Sequence, residues 1–431
     1  MHRIRRGCLT AGFLILVTLG PRSSEAQYTA NFQTNIFNGT TNTVGTYLVG
    51  SNAFADVLLI RNKGLLTSTT GYVGYEIGSS NNCAIITGAG SMWNNLYGNL
   101  TIGYHGDGNS LIISNGGEVF QYDSSYITVG ASSSWNRVVI TGIGSVWKDN
   151  YTLYVGGASG QGNSVVVDNG GLLVSESTTI GGDSNNSVVV TGGGSVWSNL
   201  DLVVGYDGGG NSLVISNFAQ LVNNQCTVGY LGGSSNVVRV VDSGVWQNGA
   251  LIIGSQGSSN SVVVENGSLA AAKLVVGAAS TTCDNVLELD SGNLVVANNG
   301  SGVLEVRNGQ LILNGGVLQA DTLVMTNACA QFIHTGGTLI VSNVLLDPNT
   351  FRITSITPQG NDMLITWMMG PGASNTLQAT AGDGSGGYSA NGFTDIFIVT
   401  NNTAVGTVTN YLDLGAATNT SSRYYRARLI P

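Results

Sequence analysis

The chain has 431 residues, of which only 9% are charged, 42% are hydrophobic and 63 are Gly, so solubility rests on Ser, Thr, Asn and Gly rather than on ions. That apolar content excludes a disordered chain. A formal net charge of −9 makes nucleic acid and anionic membrane poor partners.

Residues 1–26 read as a secretory signal peptide. Arg3, Arg5 and Arg6 precede the apolar run from Leu9 to Leu19, and a small-residue cleavage site ends at Ala26. Cys8 stands ahead of the apolar run, which argues against a lipoprotein-type anchor. Cleavage removes four Arg and one Glu, leaving 11 basic and 23 acidic residues and a net charge of −12. The mature chain is expected outside the cell without a membrane span, because every later apolar run is short and broken by Gly, Asn or Ser.

Residues 27–346 read as a solenoid. A glycine preceded by Val or Ile recurs about every 25 residues, at Gly50, Gly78, Gly103, Gly130, Gly156, Gly181, Gly205, Gly229, Gly254 and Gly277. A second column is asparagine, at Asn82, Asn109, Asn136, Asn163, Asn186, Asn211, Asn236, Asn260 and Asn285. Two and four residues after each Asn stand apolar pairs such as Leu111 and Ile113, Val165 and Val167, and Val262 and Val264. This period of two in β-branched residues marks a strand with those side chains inward. Gly-rich corners follow, then two shorter strands, the last ending at the periodic glycine. Coils alternate between an N-S-V/L-x-V/I-x-N-G form, as at 163–170, and a G-x-G-S-V/M-W form, as at 142–147 and 192–197. About twelve coils over 40–345, at roughly 4.8 Å per rung, make a rod of about 58 Å.

From residue 347 the period is gone. Short strands such as Met363–Trp367, Asp395–Val399 and Ser422–Leu429, separated by Gly-rich turns, suggest a small β-sandwich over 347–431. Cys83, Cys226, Cys283 and Cys329 are separated by more than one coil each, which predicts four unpaired thiols, and no CxxC spacing suggests a metal.

The G-x-G-S-x-W units and the later G-G-x-L units at Gly315–Leu318 and Gly336–Leu339 resemble the right-handed parallel β-helix repeats of autotransporter passengers and related secreted bacterial proteins. The closing Tyr424-Tyr425-Arg426-Ala427-Arg428 is similar to the last strand of fibronectin-III-like modules. The resemblance covers about 70% of the chain and implies the handedness, a bacterial cell-surface or secreted location, and a family that includes adhesins, scaffolds and some enzymes. The roughly 80 residues after the solenoid are too few for that family's twelve-stranded membrane barrel.

Several features invite a functional reading. Trp93, Trp147, Trp197 and Trp246 share a column with Leu173, Leu221 and Leu269, which places them in the core rather than on a sugar-stacking surface. The Asn column reads as a stacked amide ladder without a ligand. Gly106-Asp107-Gly108-Asn109 and Asp207 to Asn211 hint at calcium but lack the nonapeptide pattern, so they read as turns and no cofactor is implied. At the outward third position Ile85, Ile112, Val139, Val166, Val189, Val214, Arg239 and Val263 form an almost uncharged stripe edged with Ser and Thr. Such a stripe suits a long polymer, an extracellular polysaccharide or another cell-surface component. One carboxylate group stands out: Glu265 and Asp290 share the fifth position of consecutive coils, with Glu288 beside them. This is the acidic cluster a β-helix polysaccharide lyase or glycosidase would use, although His105 and His334 are too far away to assist. The regular coils favour a non-enzymatic adhesin, polymer-binding rod or envelope scaffold over that enzyme.

Overall fold

The computed structural model describes residues 28–430 apart from 29, 123–125, 158, 280, 282, 328, 347–350, 370–373, 384–386, 401–407 and 419–421. The expected signal peptide therefore lies outside the described residues. Among those described there is no helix, and so none long and apolar enough to cross a membrane.

Alternation of inward and outward residues builds a parallel β-helix. Thirteen strands, from Thr34–Asn38 to Ala330–His334, stack in parallel as a front sheet, so the chain makes about twelve turns. A back sheet runs from Thr41–Val49 to Thr338–Leu346. The apolar pairs counted from each Asn point inward as expected: Leu111, Ile113, Val165, Val167, Val262 and Val264 are fully buried. In the back sheet one column reads Leu66, Trp93, Val119, Trp147, Leu173, Trp197, Leu221, Trp246, Leu269 in successive rungs. All four Trp are buried, so wide and narrow layers interleave through the core.

Each coil was expected to carry two short strands after the front one, and here the structure differs. Where five residues separate successive inward columns, as from Leu221 to Cys226 or Trp246 to Leu251, the two fuse into one nine-residue strand, Gln220–Val228 or Val245–Ile253. Longer spacings, as from Trp93 to Leu100, leave a break between Met92–Asn95 and Leu100–Ile102. The widest break, 297–302, is closed from the next coil by Asp321, whose Oδ2 accepts the N–H groups of Asn298, Gly300 and Gly302 at 2.8–3.0 Å.

The two periodic residues form one device. The backbone N–H of each ladder Asn donates to the side-chain Oδ1 of the Asn one coil on, from Asn82 to Asn285, at 2.8–3.1 Å. Each Nδ2 donates to the same oxygen. The side chain reaches that position by lying across the periodic glycine of the preceding corner: a Cβ on Gly103, Gly130 or Gly181 would collide with Asn136, Asn163 or Asn211. These glycines also hold φ between +69° and +85°, a region disfavoured for L side chains. The geometry corrects one member of the glycine column. Val73 pairs with Ile102, so Gly74 and not Gly78 is the glycine beneath Asn109, while a Cβ on Gly78 would meet nothing and Ile77 projects into solvent.

The cysteine expectation also fails. Cys83 and Cys226 are buried in the coils, but Cys283 and Cys329 form a disulfide with Cα atoms 5.5 Å apart. They lie two coils apart, before the strands Asn285–Leu289 and Ala330–His334. The coil between them passes from Val303–Val306 to Gly309–Leu313 with only Arg307 and Asn308 at the corner. Without a loop in that coil, the loops above and below meet across it.

The C-terminal residues form two three-stranded antiparallel sheets, one of Arg352–Gln359, Asp362–Met368 and Val408–Asp413, the other of Thr394–Thr400, Ser374–Ala381 and Arg423–Ile430. Ile365 and Trp367 from the first and Leu377 from the second share one buried cluster, with the Trp367 and Phe397 rings 6.1 Å apart edge to face. This is the expected small sandwich.

The ladder makes a stability prediction. Asn211→Ala removes the acceptor of the buried Asn186 N–H, while the Asn186 Nδ2 keeps the carbonyls of Asp183 and Ser184, and one buried donor left unpaired costs about 1–3 kcal/mol. Its denaturation midpoint should fall clearly below that of the outward control Ser212→Ala, as read by circular dichroism in urea.

Candidate functional site

The expected stripe is one register column of the front sheet. Ile85, Ile112, Val139, Val166, Val189 and Val214 are directly paired rung to rung. They span five steps, about 24 Å, and all are half-buried on the outward face. An outward face in water ordinarily reads polar, so six successive aliphatic side chains there are a departure. The edging hydroxyls are present, and Ser114 and Ser216 donate across to Thr87 and Thr191 of the preceding coil at 3.0 and 2.9 Å. The stripe ends at Arg239. Val263, expected to extend it, is only 8% exposed between Arg239 and Glu288 in the same column.

The three acids do come together in part. Glu288 and Asp290 leave adjacent outward positions of one strand edge, and the Asn314 amide, one coil on, donates to both, at 3.0 Å to Glu288 and 2.8 Å to Asp290. Thr335 in turn donates to Asn314 at 2.7 Å, which fixes the amide's orientation. Burial, then the neighbouring Asp290 carboxylate, pushes the Glu288 carboxyl above its ordinary range, while Asn314 and Arg239 oppose the shift. Glu265 is drawn the other way, into a 2.8 Å ion pair with Arg239 in which both side chains are about half exposed. Such a pair contributes about 0.2–1 kcal/mol. The arrangement sets a carboxyl with a raised proton affinity beside a second carboxylate. His105 stands in a distant coil, whereas His334 lies only two coils from the acids, in register with the inward Leu289 and Leu313 rather than with Glu288 or Asp290.

The turns that hint at calcium are otherwise engaged. Asp107 accepts the Ser134 N–H at 2.7 Å, and Asn109 and Asn211 are rungs of the amide ladder. Among the described residues no group of three His, Cys, Asp or Glu side chains could hold a metal ion.

Two features escaped the sequence reading. The first is an interior polar column beside the Trp column. Two residues after each Trp stand Asn95, Asp149, Asn199 and Asn248, and with Ser68, Gln121, Ser175 and Asn223 on alternate rungs they form a buried polar file. It accepts the indole N–H groups: Trp93 donates to Ser68, Trp197 to Ser175 and Trp246 to Asn223, at 2.6–3.0 Å. That pairing is why three of the four indoles can be buried without an unpaired N–H, Trp147 being the exception. The signal was the polar residue at Trp plus two. Asp149 is the only acid in the file. Its Oδ1 accepts the Tyr151 N–H at 3.0 Å, but its Oδ2 and the Trp147 Nε1 have no partner among the described residues. Burial pushes this carboxyl up to about 7. The second feature is a set of tyrosines next to the ladder glycines, signalled by the dipeptides Gly74-Tyr75, Gly103-Tyr104, Gly205-Tyr206 and Gly229-Tyr230.

No protein-family model, no curated protein and no solved structure matches the chain.

Asp149 sets a pH dependence. A carboxyl whose pKa rises from 3.8 unfolded to about 7 folded stabilises the fold fully below the lower value, and that contribution is lost as pH rises through the higher one. Asp149→Asn keeps the shape of the file and abolishes the ionisation. It should raise the melting temperature by several degrees at pH 8, a gain of a few kcal/mol, and leave it nearly unchanged at pH 4 in a thermal scan across pH.

Proposed function

We propose that the protein is an exported, non-enzymatic rod that works through its long outer face, as an adhesin, a polymer-binding rod or an envelope scaffold at the bacterial surface. The observation that carries this reading is the unbroken column from Ile85 to Val214: six rungs of half-buried aliphatic side chains on the outer face, edged mostly with hydroxyls and flanked by only two charges, Arg137 and Asp168, repeat one contact along the axis. Repetition suits a repetitive ligand, and an extracellular polysaccharide is the partner it fits best. The autotransporter-passenger resemblance of the coils and the secretory character of residues 1–26 support the location. The C-terminal sandwich, read as a fibronectin-III-like module, would then retain or sort the rod.

One observation favours a second reading, a lyase or glycosidase. Glu288 has its proton affinity raised beside Asp290, with one amide bridging the two carboxyls, the kind of pairing that glycoside chemistry uses. Against it, Glu265 is neutralised by Arg239, and the Asn314 amide spends both of its donors on the other two acids.

Incubation of the mature chain with neutral and acidic polysaccharides, followed by size-exclusion chromatography, separates the readings. Polymer length should stay unchanged, with co-elution of at least one polymer that the variant Glu265→Gln, Glu288→Gln, Asp290→Asn retains. Shortening of a polymer that this variant no longer causes would establish the enzyme instead.

A further inference from the structure

A different edge of the rod, between the back sheet and the amide ladder, carries rings. The residue after each ladder glycine donates its N–H to the glycine carbonyl of the preceding coil, giving one continuous column: Tyr104, Ala131, Gly157, Gly182, Tyr206, Tyr230. Tyrosine pairs thus bracket three small residues, and four rungs, about 19 Å, separate Tyr104 from Tyr206. The Tyr75 and Tyr104 rings stack 5.4 Å apart and within 10° of parallel, and those of Tyr206 and Tyr230 lie 5.3 Å apart. Beside the small residues stands Tyr154, outward in the back sheet and paired with Thr128 and Thr179, its ring 5.5 Å from that of Tyr126. Tyr104, Tyr126, Tyr206 and Tyr230 each remain between 37% and 43% exposed.

Trp135 adds an independent observation. It occupies the corner of the coil that follows Tyr104, with φ of +62°, where neighbouring coils place Asn81, Gly108, Gly162 and Asn185 in the same left-handed conformation. Those residues adopt it readily and a bulky side chain does not. The indole rests on Gly162 yet remains 66% exposed. A strained backbone that holds a large ring in water contributes nothing to the core.

Charge selects the ligand. From Gly74 to Asn236 the corners between ladder glycine and ladder asparagine carry Glu76, Asp107, Asp183 and Asp207 and no Lys or Arg, and the back-sheet strands leading into them carry a single base, Lys148, against the outward acids Glu118 and Asp201. A polyanion is repelled by such an edge, whereas the C–H faces of uncharged sugar rings stack on tyrosine and tryptophan while phenol and threonine hydroxyls meet their hydroxyl groups. We propose that this aromatic edge is a stacking track for a neutral polysaccharide lying along the rod axis. The proposal rests on the polymer-binding reading above but assigns the contact to a second surface.

Affinity electrophoresis in native gels cast with a neutral β-glucan, a neutral mannan or alginate tests it. The wild-type chain should be retarded by a neutral polymer and not by alginate. Tyr104→Ala with Tyr206→Ala should weaken binding about tenfold, the equivalent of one good ring contact. Trp135→Gly should weaken it too while leaving the melting temperature equal or higher, since Gly suits that backbone, so lost binding cannot be put down to lost fold. Retardation by alginate alone overturns the neutral-polymer assignment. Equal retardation of wild type and both ring variants, with loss on Val166→Asp in the front-sheet stripe, overturns the track and leaves the polymer-binding reading standing. No retardation by any polymer overturns both.

Discussion

A parallel stack of coils has one recurrent difficulty, the corner, where the backbone leaves one sheet for the next and its N–H groups lose their strand partners. From Asn82 to Asn285 a single contact resolves it at each turn: an asparagine side chain folds back over the glycine of the preceding corner and accepts the N–H of the preceding asparagine. The amide needs the space that only a residue without Cβ leaves, and the glycine needs a left-handed φ that its neighbours could not adopt cheaply. Because the contact links each of these coils to the next at the same place, it fixes the register of the front sheet there. Every other column is a consequence. The first rung is an exception in kind. Asp56, fully buried, donates its N–H to Asn82 and accepts that of Gln33, and burial pushes its carboxyl up to about 6.

Once register is fixed, side chains in successive coils become columns, and columns become surfaces. Inward columns interleave Trp with Leu, and the indole N–H groups of Trp93, Trp197 and Trp246 are satisfied by a polar file that the same register places beside them. Outward columns give the rod two distinct long faces. One is aliphatic and edged with hydroxyls; the other is ringed with tyrosine on a corner that carries only acidic charge. The rod's regularity breaks near Arg239, where Arg239, Glu265, Glu288 and Asp290 replace the aliphatic stripe and pair among themselves and with Asn314.

The fold was legible because its signals repeat. Nine asparagines and a period-two apolar pattern leave few alternatives, and the Trp and Leu of one column could be assigned inward by spacing alone. What was missed depends on where spacing varies. Val73-Gly74 and Ile77-Gly78 both fit the pattern of Val or Ile before glycine, and only the pairing of Val73 with Ile102 decides the column. Coil counting argues against the disulfide because its cysteines stand more than one coil apart, but the coil between them has only Arg307 and Asn308 at its corner, so the pair can meet across it. Val263 looked like stripe until its charged neighbours covered it. The tyrosine edge and the buried Asp149 stand at positions where most coils carry other residues, so no repeat advertised them. Their meaning comes from which side chains the coils bring side by side.

Hydrogen–deuterium exchange at the ladder amides tests the central claim most directly. The backbone N–H groups of Asn109, Asn136, Asn163 and Asn186 lie outside the strands, yet each is buried and donates to an asparagine side chain. They should exchange as slowly as the strand amides of Val138 or Val165. Exchange as fast as that of the exposed corner residue Gly193 would mean that the ladder does not hold the coils together.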